Sequence, residues 1–258
     1  MPHESAFSRV FGALARTEIP ERTHAALVEP FVKDSGIAHA ALDTSAICAL
    51  EKACKTRKPL VLKFRRKRGR PKKGYVTPEG SGVARLLRMT PARMKRTFPG
   101  DFSRGAKMNS QGKYEVWRGY KLHVSVVEGG LPVSCLPTPA SLHDSQATPF
   151  LPKKTARKVQ GYCLADAAYD AASLRTLASG LGLVPVIDQP PRRGEKILME
   201  PDRARRYKTR TQVERFFVRL KDEFGGRMIF VRGNRKVMSH RMNGWLAILA
   251  DQLLGSGS

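Results

Sequence analysis

The sequence lacks the features that mark membrane-spanning, secreted and zinc-dependent proteins. Its 258 residues contain no run of about 18 apolar residues, the length needed to cross a bilayer. The N-terminus lacks the basic segment and apolar stretch of a secretion signal. The four cysteines form no Cys-x-x-Cys pair, and the six histidines are scattered, with no His-Glu-x-x-His motif. We therefore expect neither a disulfide framework nor a zinc enzyme, and we interpret the cysteines as reduced thiols of a cytosolic protein.

Acidic side chains are also scarce. Asp and Glu total 22 against 47 Lys and Arg, which leaves a formal net charge of +25. Such an excess favours a polyanionic partner, and nucleic acid is the first candidate. A membrane surface is a weaker alternative, because no Lys-rich amphipathic helix stands apart from the rest. A generally basic proteome would also explain the charge, so charge alone leaves the partner open.

The order of apolar patterns predicts a mixed α/β domain. Strands come first, with a hairpin, and alternating helices and strands follow, which is typical of a mixed sheet covered by helices. The chain is long enough to bury a full core. We predict helices at 5–15, 20–33, 83–98 (two short ones), 171–179, 201–224 and 236–254. We predict strands at 37–48, 120–127, 131–136, 159–165 and 183–187.

The longest predicted helix, 201–224, carries a polar stripe. At about 100° per residue, four polar side chains fall within roughly 60° of one another: Tyr207, Arg210, Glu214 and Lys221. The stripe adjoins the apolar face of the helix instead of lying opposite it, which suits the wall of a catalytic site. The spacing of Arg210 and Glu214 equally allows an ordinary ion pair between residues four apart. From the helix alone the two interpretations are balanced.

Two aspartates lie in or directly after predicted strands. Asp166 follows the strand 159–165, and catalytic groups of α/β sheets gather at the carboxyl ends of strands. Asp43 interrupts an otherwise apolar strand, where a lone carboxylate is costly unless it is paired or binds a metal. A structural, hydrogen-bonded Asp43 is the alternative. Asp170 differs from both, because it directly precedes the helix 171–179 and is best explained as its N-cap.

Asp43, Asp166 and Glu214 could converge on one metal site. Oxygen ligands without His or Cys select Mg²⁺ or Mn²⁺. Two such ions, clamped by carboxylates, catalyse in-line displacement at phosphodiesters. A basic surface would bind the backbone of the substrate. Charge and ligand chemistry therefore agree on phosphoryl transfer in nucleic acid.

Four segments match, in order and spacing, the motifs of a known family. YKTRTQVERFFVRLK at 207–221 fits the pattern Y-x2-R-x3-E-x6-K. The other three are YCLADAAYDA at 162–171, WRGYKLHVSV at 117–126 and ALDTSAI at 41–47. Together they resemble the motifs of bacterial insertion-sequence transposases of the DDE type. The resemblance runs from about residue 5 to residue 254.

The resemblance implies an RNase H-like fold, with a mixed five-stranded sheet flanked by helices. It also implies a short helical N-terminal segment and a basic insertion after the first strand. We accordingly expect a helical remnant of an N-terminal region at 1–36 and a catalytic domain at 37–254, with the insertion at about 55–112. Residues 255–258 are expected to form a flexible tail.

Roles for individual residues also follow from the resemblance. Three residues would be catalytic and would bind two Mg²⁺ ions, for which Mn²⁺ can substitute: Asp43, Asp166 and Glu214. Three more would contact DNA phosphate near the transposon end and orient the glutamate: Tyr207, Arg210 and Lys221. The implied reaction is hydrolysis that frees a 3′-hydroxyl, then attack of that hydroxyl on target DNA. A homodimer on double-stranded DNA, holding two transposon ends in the bacterial cytoplasm at the nucleoid, is the expected assembly.

Two alternatives to an active transposase stay open. The N-terminal PHESAFSRVFGALA resembles the last part of a longer region that relatives usually carry. The chain could accordingly be a truncated, transposition-defective remnant that only binds DNA. It could also be a hydrolytic nuclease of the same fold, which cleaves DNA without joining a 3′-end to a target.

The basic linker KFRRKRGRPKK, residues 63–73, supplies the remaining DNA-binding prediction. Its charge density, together with Gly and Pro, argues against a packed element. Within it, the stretch 68–71 resembles an AT-hook core, which enters the narrow minor groove of A·T-rich DNA. A solvated linker that makes only phosphate contacts is the alternative. In both cases the predicted DNA-binding residues are Arg68, Arg70, Lys72 and Lys73.

Overall fold

Helices cover both faces of one mixed sheet. The structure, a computed structural model, describes residues 3–34, 36–51, 83–108, 111–189 and 197–255. The helices are α1 (Glu4–Thr17), α2 (Ile19–Asp34), α3 (Val83–Leu87), α4 (Pro91–Thr97), α5 (Asp144–Ala147), α6 (Phe150–Thr155), α7 (Ala172–Gly180), α8 (Pro201–Tyr207), α9 (Thr211–Asp222) and α10 (Asn234–Gly255). The strands are β1 (His39–Ala49), β2 (Ser103–Met108), β3 (Tyr114–Val127), β4 (Pro132–Pro139), β5 (Tyr162–Ala165), β6 (Val184–Ile187) and β7 (Met228–Ile229). Short 3₁₀ turns occupy Glu128–Gly130, Ala167–Tyr169 and Lys208–Arg210.

The central strand of the sheet is β1. It pairs antiparallel with β3 on one side and parallel with β5 on the other, and β6 continues the parallel part beyond β5. The far edge of β3 pairs with β2 along its first half and with β4 along its second half. The order β4-β3-β1-β5-β6 is the predicted five-stranded RNase H-like sheet, so the fold class is confirmed. In the described part of the chain β2 and the two-residue β7 extend it to seven strands.

Side-chain alternation along β1 divides the core into two clusters. Ala40 and Leu42 pack in a cluster completed by residues of α2, α4, α6 and α7, which we call the α6 face. Ala41 and Ile47 pack in a second cluster with residues of α9 and α10, which we call the α9 face. Trp245 of α10 is completely buried there. Successive residues of β1 therefore serve opposite sides of the sheet.

Most predicted elements are present near their predicted positions. The two N-terminal helices, the pair of short helices within 83–98 and the hairpin of β3 and β4 are confirmed. The N-cap prediction for Asp170 is wrong, because Ala171 occupies the N-cap position of α7 and no side chain caps it. Asp170 instead pairs with Arg175, which lies one turn into the helix, at 2.8 Å.

The predicted helix 201–224 is present in two parts, α8 and α9. The 3₁₀ turn Lys208–Arg210 interrupts it, and α10, with 22 residues, is longer than any other helix in the described ranges. At the interruption the hydroxyls of Thr209 and Thr211 donate to carbonyl oxygens three residues earlier, at 2.7 and 3.2 Å. Such bonds compete with the backbone ladder and bend helices. Because a 3₁₀ turn has fewer residues per turn, it rotates the side chains of α8 about the helix axis relative to those of α9.

Three sequence predictions stay untested. The predicted flexible tail, 255–258, lies outside the described residues from residue 256 onward. The basic linker 63–73 lies outside the described residues. The domain boundary near residue 36 stays a prediction. Among the described residues, no helix is both long enough and apolar enough to span a bilayer.

Gly119 provides a test of the β1–β3 register. Its φ is +148°, and a Cβ there would lie 2.1 Å from the carbonyl oxygen of Ile47. We expect Gly119→Ala to destabilise the chain by about 2 kcal/mol or more, because both the backbone angle and the close approach exclude a side chain. Urea denaturation measures this. Gly180→Ala is the control, since nothing lies within 4 Å of that position at the end of α7, and it should be neutral or stabilising. Equal effects of the two changes would contradict the register.

Candidate active site

Asp43 and Asp166 lie where two parallel strands separate. The ladder between β1 and β5 ends at the pair Leu42 and Ala165, and each aspartate is the next residue of its chain segment. Ala41 and Leu164, which lie two positions before Asp43 and Asp166, pack on the α9 face. Side chains two apart along a strand share a face. The two carboxylates therefore point toward the α9 side from neighbouring strands.

Arg210 connects this sheet edge to α9. Its Nη1 lies 3.5 Å from Oδ2 of Asp43, and its Nη2 donates to Oε1 of Glu214 at 2.6 Å. The side chain of Arg210 is only 16% exposed. The ion pair that the helix spacing allowed is thus present, and its arginine also contacts Asp43. Two of the three predicted catalytic carboxylates share one cation.

The two aspartates are shifted toward their protonated forms. Burial, aided by the neighbouring acidic side chains, raises the pKa of Asp43 to about 6, against the opposing effects of Arg210 and a local N–H. Burial also raises the pKa of Asp166, while Arg210 lowers it. Thr44 N–H donates to Asp43 at 2.8 Å, and Ala168 N–H donates to Asp166 at 3.0 Å. The backbone N–H of Tyr169 also lowers the pKa of Asp166. The arginine and these amides do not offset burial, so an added cation would be bound favourably.

Tyr207 flanks the same arginine. The guanidinium carbon of Arg210 lies 5.7 Å from the centre of the Tyr207 ring. Burial raises the pKa of Tyr207, which Arg210 partly opposes. The phenol is therefore neutral near pH 7 and keeps a hydroxyl that can donate a hydrogen bond. Asp166, and Asp188 after β6, lie within electrostatic reach of it.

Lys221 is not part of this cluster. It shares the helix stripe with Glu214, but seven residues place it about 10 Å farther along the axis. Its charged neighbours are Lys107, Arg227 and Arg241. Burial lowers its pKa, and these three cations lower it further. The helical period gives its direction relative to Glu214 but not its distance from the aspartates, and its contact with DNA stays a prediction.

The donor atoms fit a hard divalent cation, but the side-chain arrangement is not yet that of a metal site. Asp43, Asp166 and Glu214 supply only carboxylate oxygens, which Mg²⁺ and Mn²⁺ prefer. Within the described ranges, no three His, Cys, Asp or Glu side chains are close enough together to hold an ion. The guanidinium of Arg210 lies between Asp43 and Glu214. Metal binding at this point would require the glutamate to leave the arginine.

A second ion pair near Asp166 was missed from the sequence. Lys121 of β3 donates to Oδ1 of Asp144 at 2.9 Å and to the carbonyl oxygen of Leu142 at 3.0 Å. Asp144 lies within electrostatic reach of Asp166. The sequence feature that could have indicated this ion pair is Lys121 itself, a lone lysine in the otherwise apolar strand of the hairpin motif. Its partner lies 23 residues away, which no local pattern indicates.

Exposed cations continue from the cluster along α8. Four cationic side chains of α8 and of the 3₁₀ turn that follows it are exposed to solvent: Arg203, Arg205, Arg206 and Lys208. The guanidinium of Arg206 also lies 4.2 Å from the centre of the Tyr162 ring. The predicted DNA contacts of the linker cannot be placed in the same way, since four residues lie outside the described ranges: Arg68, Arg70, Lys72 and Lys73.

Comparison with known proteins agrees with the motifs. The family model described as "Transposase DDE domain" matches residues 87–249. This range includes Asp166 and Glu214 but begins after Asp43. A curated relative from Brucella ovis (strain ATCC 25840 / 63/290 / NCTC 10512), named "Putative transposase for insertion sequence element IS6501", is 40% identical over 103 residues. The alignment covers 39% of this chain and 75% of the relative. No solved structure matches.

The family match spans more than half of the chain and includes the strand end and the helix that carry two of the three carboxylates. The fold is the RNase H-like mixed sheet with flanking helices that the motifs implied. This chain belongs to the DDE-type transposases of insertion sequences.

Proposed function

We propose that this protein cleaves DNA at the ends of an insertion sequence and joins the freed 3′-hydroxyl to target DNA. The observation that carries the proposal is the gathering of Asp43, Asp166 and Glu214 around Arg210 where β1 and β5 separate. Buried carboxylates at such an edge are costly unless a cation joins them. Membership of the family supports DNA as the substrate, and the net charge of +25 suits a polyanion.

Asp43, Asp166 and Glu214 would hold two Mg²⁺ ions, with Mn²⁺ as a substitute. When bound, the ions would activate the attacking oxygen and stabilise the leaving oxygen of an in-line displacement. Asp43 and Asp166 contribute from the sheet, with each carboxylate oriented by a local backbone N–H. Glu214 contributes from α9, where its side chain is half-exposed and is held by Arg210 in the free chain.

Arg210 would exchange its partners when DNA binds. In the free chain it contacts both Asp43 and Glu214. A DNA phosphate offers the same guanidinium a bidentate anion, which is a strong partner. Tyr207 stands beside it and would donate its hydroxyl to the same backbone. The exchange would release both carboxylates for metal ions.

The remaining DNA contacts would come from cations around this centre. The exposed arginines of α8 and Lys221, about 10 Å along α9, would follow the phosphate backbone. The linker residues Arg68, Arg70, Lys72 and Lys73 would add contacts to the duplex. A homodimer would hold two transposon ends at once. Each of these contacts weakens as salt rises, because counterions are released on binding.

Removal of either of two carboxylates tests the catalytic assignment. We expect Asp166→Asn and Glu214→Gln to lower Mg²⁺-dependent cleavage by at least about 10³-fold while DNA binding persists in a gel shift. The substrate is a plasmid carrying the inverted repeats that flank the coding region. Glu223→Gln is the control and should cleave normally, because Glu223 follows the opposite end of α9 from Glu214 and pairs with Arg219. Unchanged cleavage by either carboxylate variant would refute the assignment.

The products of the same reaction separate the competing functions. Transfer of the freed 3′-end into target DNA supports a transposase. Cleavage without transfer would indicate a hydrolytic nuclease, and DNA binding without any cleavage would indicate a DNA-binding remnant.

The stability of the metal-free chain reports the burial of Asp43. Because its pKa is raised from 3.8 to about 6, the folded state holds the proton more tightly, and stability is lost as pH rises from about 4 to about 6. We expect Asp43→Asn to raise the unfolding free energy by about 1–3 kcal/mol above pH 7 and to leave it unchanged near pH 4. Urea denaturation in EDTA measures both. A loss of stability at pH 7 would contradict the burial cost.

The exchange of partners by Arg210 predicts coupled binding. We expect DNA to tighten Mn²⁺ binding to the wild-type chain by about tenfold, and Mn²⁺ to tighten DNA binding equally. In Arg210→Gln, Mn²⁺ should bind more tightly without DNA, and the coupling should shrink. Isothermal titration calorimetry measures these affinities, with Arg215→Gln, an exposed residue of the same helix, as the control. Equal coupling in both variants would exclude a role for Arg210.

A further inference from the structure

Four polar side chains form a hydrogen-bonded chain behind the candidate active site: Tyr169, Thr44, His123 and Thr138. The hydroxyls of Tyr169 and Thr44 are hydrogen bonded to each other. Thr44 Oγ1 also lies 2.7 Å from Nδ1 of His123, and Nε2 of His123 lies 3.0 Å from Oγ1 of Thr138. The chain joins the turn after β5 to β1, β3 and β4. None of these side chains has a part in the proposed chemistry.

The chain is a largely buried network, with Thr44 as its part-buried member. His123 and Thr138 are completely buried, and Tyr169 is 2% exposed. Burial lowers the pKa of His123 to about 4, so its ring is neutral near pH 7. A neutral imidazole donates through one nitrogen and accepts through the other, which suits one hydroxyl on each side. Such networks hold their members in one arrangement, since a lost partner leaves a buried polar group unpaired.

The network crosses the gap between the strands that carry the two aspartates. The β1–β5 ladder ends at Leu42 and Ala165, so it pairs neither Asp43 nor Asp166. Thr44 directly follows Asp43, and Tyr169 closes the 3₁₀ turn that begins after Asp166. The bond between their hydroxyls therefore links the two segments one step beyond the ladder.

The link lies on the opposite side of the sheet from the carboxylates. Tyr169 packs in the cluster of the α6 face. Thr44 shares that face with Leu42 because side chains alternate along β1. Asp43 points to the α9 face. The network can thus set the spacing of the two strands without contacting DNA or metal.

We propose that Tyr169, Thr44 and His123 are positioning residues that set the separation of the Asp43 and Asp166 carboxylates, and through it the affinity for divalent metal. The inference rests on the proposed function, because it requires these carboxylates to be the ligands. Groups that hold metal ligands in place typically change affinity 10–100-fold when removed. Tyr169→Phe is the sharpest change, since it removes one hydroxyl and keeps the buried ring.

Mn²⁺ binding to the full chain without DNA tests the proposal. MnCl₂ titrations by calorimetry should show about 10–100-fold weaker binding for Tyr169→Phe and Thr44→Val, and near wild-type binding for Thr44→Ser, which keeps the hydroxyl. The double variant should lose little more than the worse single one, because both remove the same bond. Additive losses, or normal binding by Tyr169→Phe, would overturn the proposal.

A matched control separates positioning from general loss of stability. Thr155 on the same face donates to the hydroxyl of Ser125 at 2.8 Å, also in the core, but contacts neither aspartate segment. Thr155→Val should lower the melting temperature about as much as Tyr169→Phe and leave Mn²⁺ affinity unchanged. Equal losses of affinity in both would show a merely structural effect and overturn the proposal.

Asp166→Asn distinguishes failure of the inference from failure of the proposed function. If it abolishes Mn²⁺ binding while Tyr169→Phe binds normally, the site is correct and the network is not a positioning device. If Asp166→Asn itself binds Mn²⁺ normally, the proposed metal site is wrong, and the inference fails with it.

Discussion

The contact of Arg210 with both Asp43 and Glu214 is the interaction on which the site depends. Asp43 carries a carboxylate in a place where the sheet and α9 remove most of its surface from water, with 18% left exposed. Such a group is stable only with a cation nearby or with a raised pKa, and both are present. Arg210 reaches it because apolar residues of α9 pack on the sheet. The folded chain thereby keeps two carboxylates beside the cation that, in the proposed mechanism, a DNA phosphate would draw away.

The position of this contact follows from where the sheet separates. β1 continues beyond its last pair with β5, so Asp43 and the residues after it remain paired with β3 but no longer with β5. Asp43 and Asp166 come at that point, and α9 closes over it. The 3₁₀ turn at Lys208–Arg210 lies directly before α9 and places Tyr207 and Arg210 beside the same edge. One opening in the ladder thus gathers groups from three parts of the chain.

The alternation of side chains gives the two faces of the sheet different tasks. Asp43 and Thr44 are neighbours in sequence, but they face opposite clusters. The α9 face presents carboxylates and a cation, whereas the α6 face holds hydroxyls and a neutral imidazole among apolar side chains. In the proposed function, the groups that bind metal and the groups that position them therefore lie on opposite faces of one sheet. A change on the α6 face would then alter the site without contacting it.

The sequence by itself determined what depends on nearby residues. The helical period predicted that Arg210 and Glu214 share one stripe, and the position of Asp166 directly after a predicted strand marked it as a candidate. The order of elements, together with the motifs, predicted an RNase H-like sheet. The choice of Asp43 depended on the family resemblance. Tertiary structure decided which distant groups meet. Thr44 contacts partners 79 and 125 residues away, and Lys221 proved too far along its helix to join the cluster. A local sequence pattern indicates which way a side chain points from its own helix or strand. The distance between side chains of different elements is set by how those elements pack, which no local pattern contains.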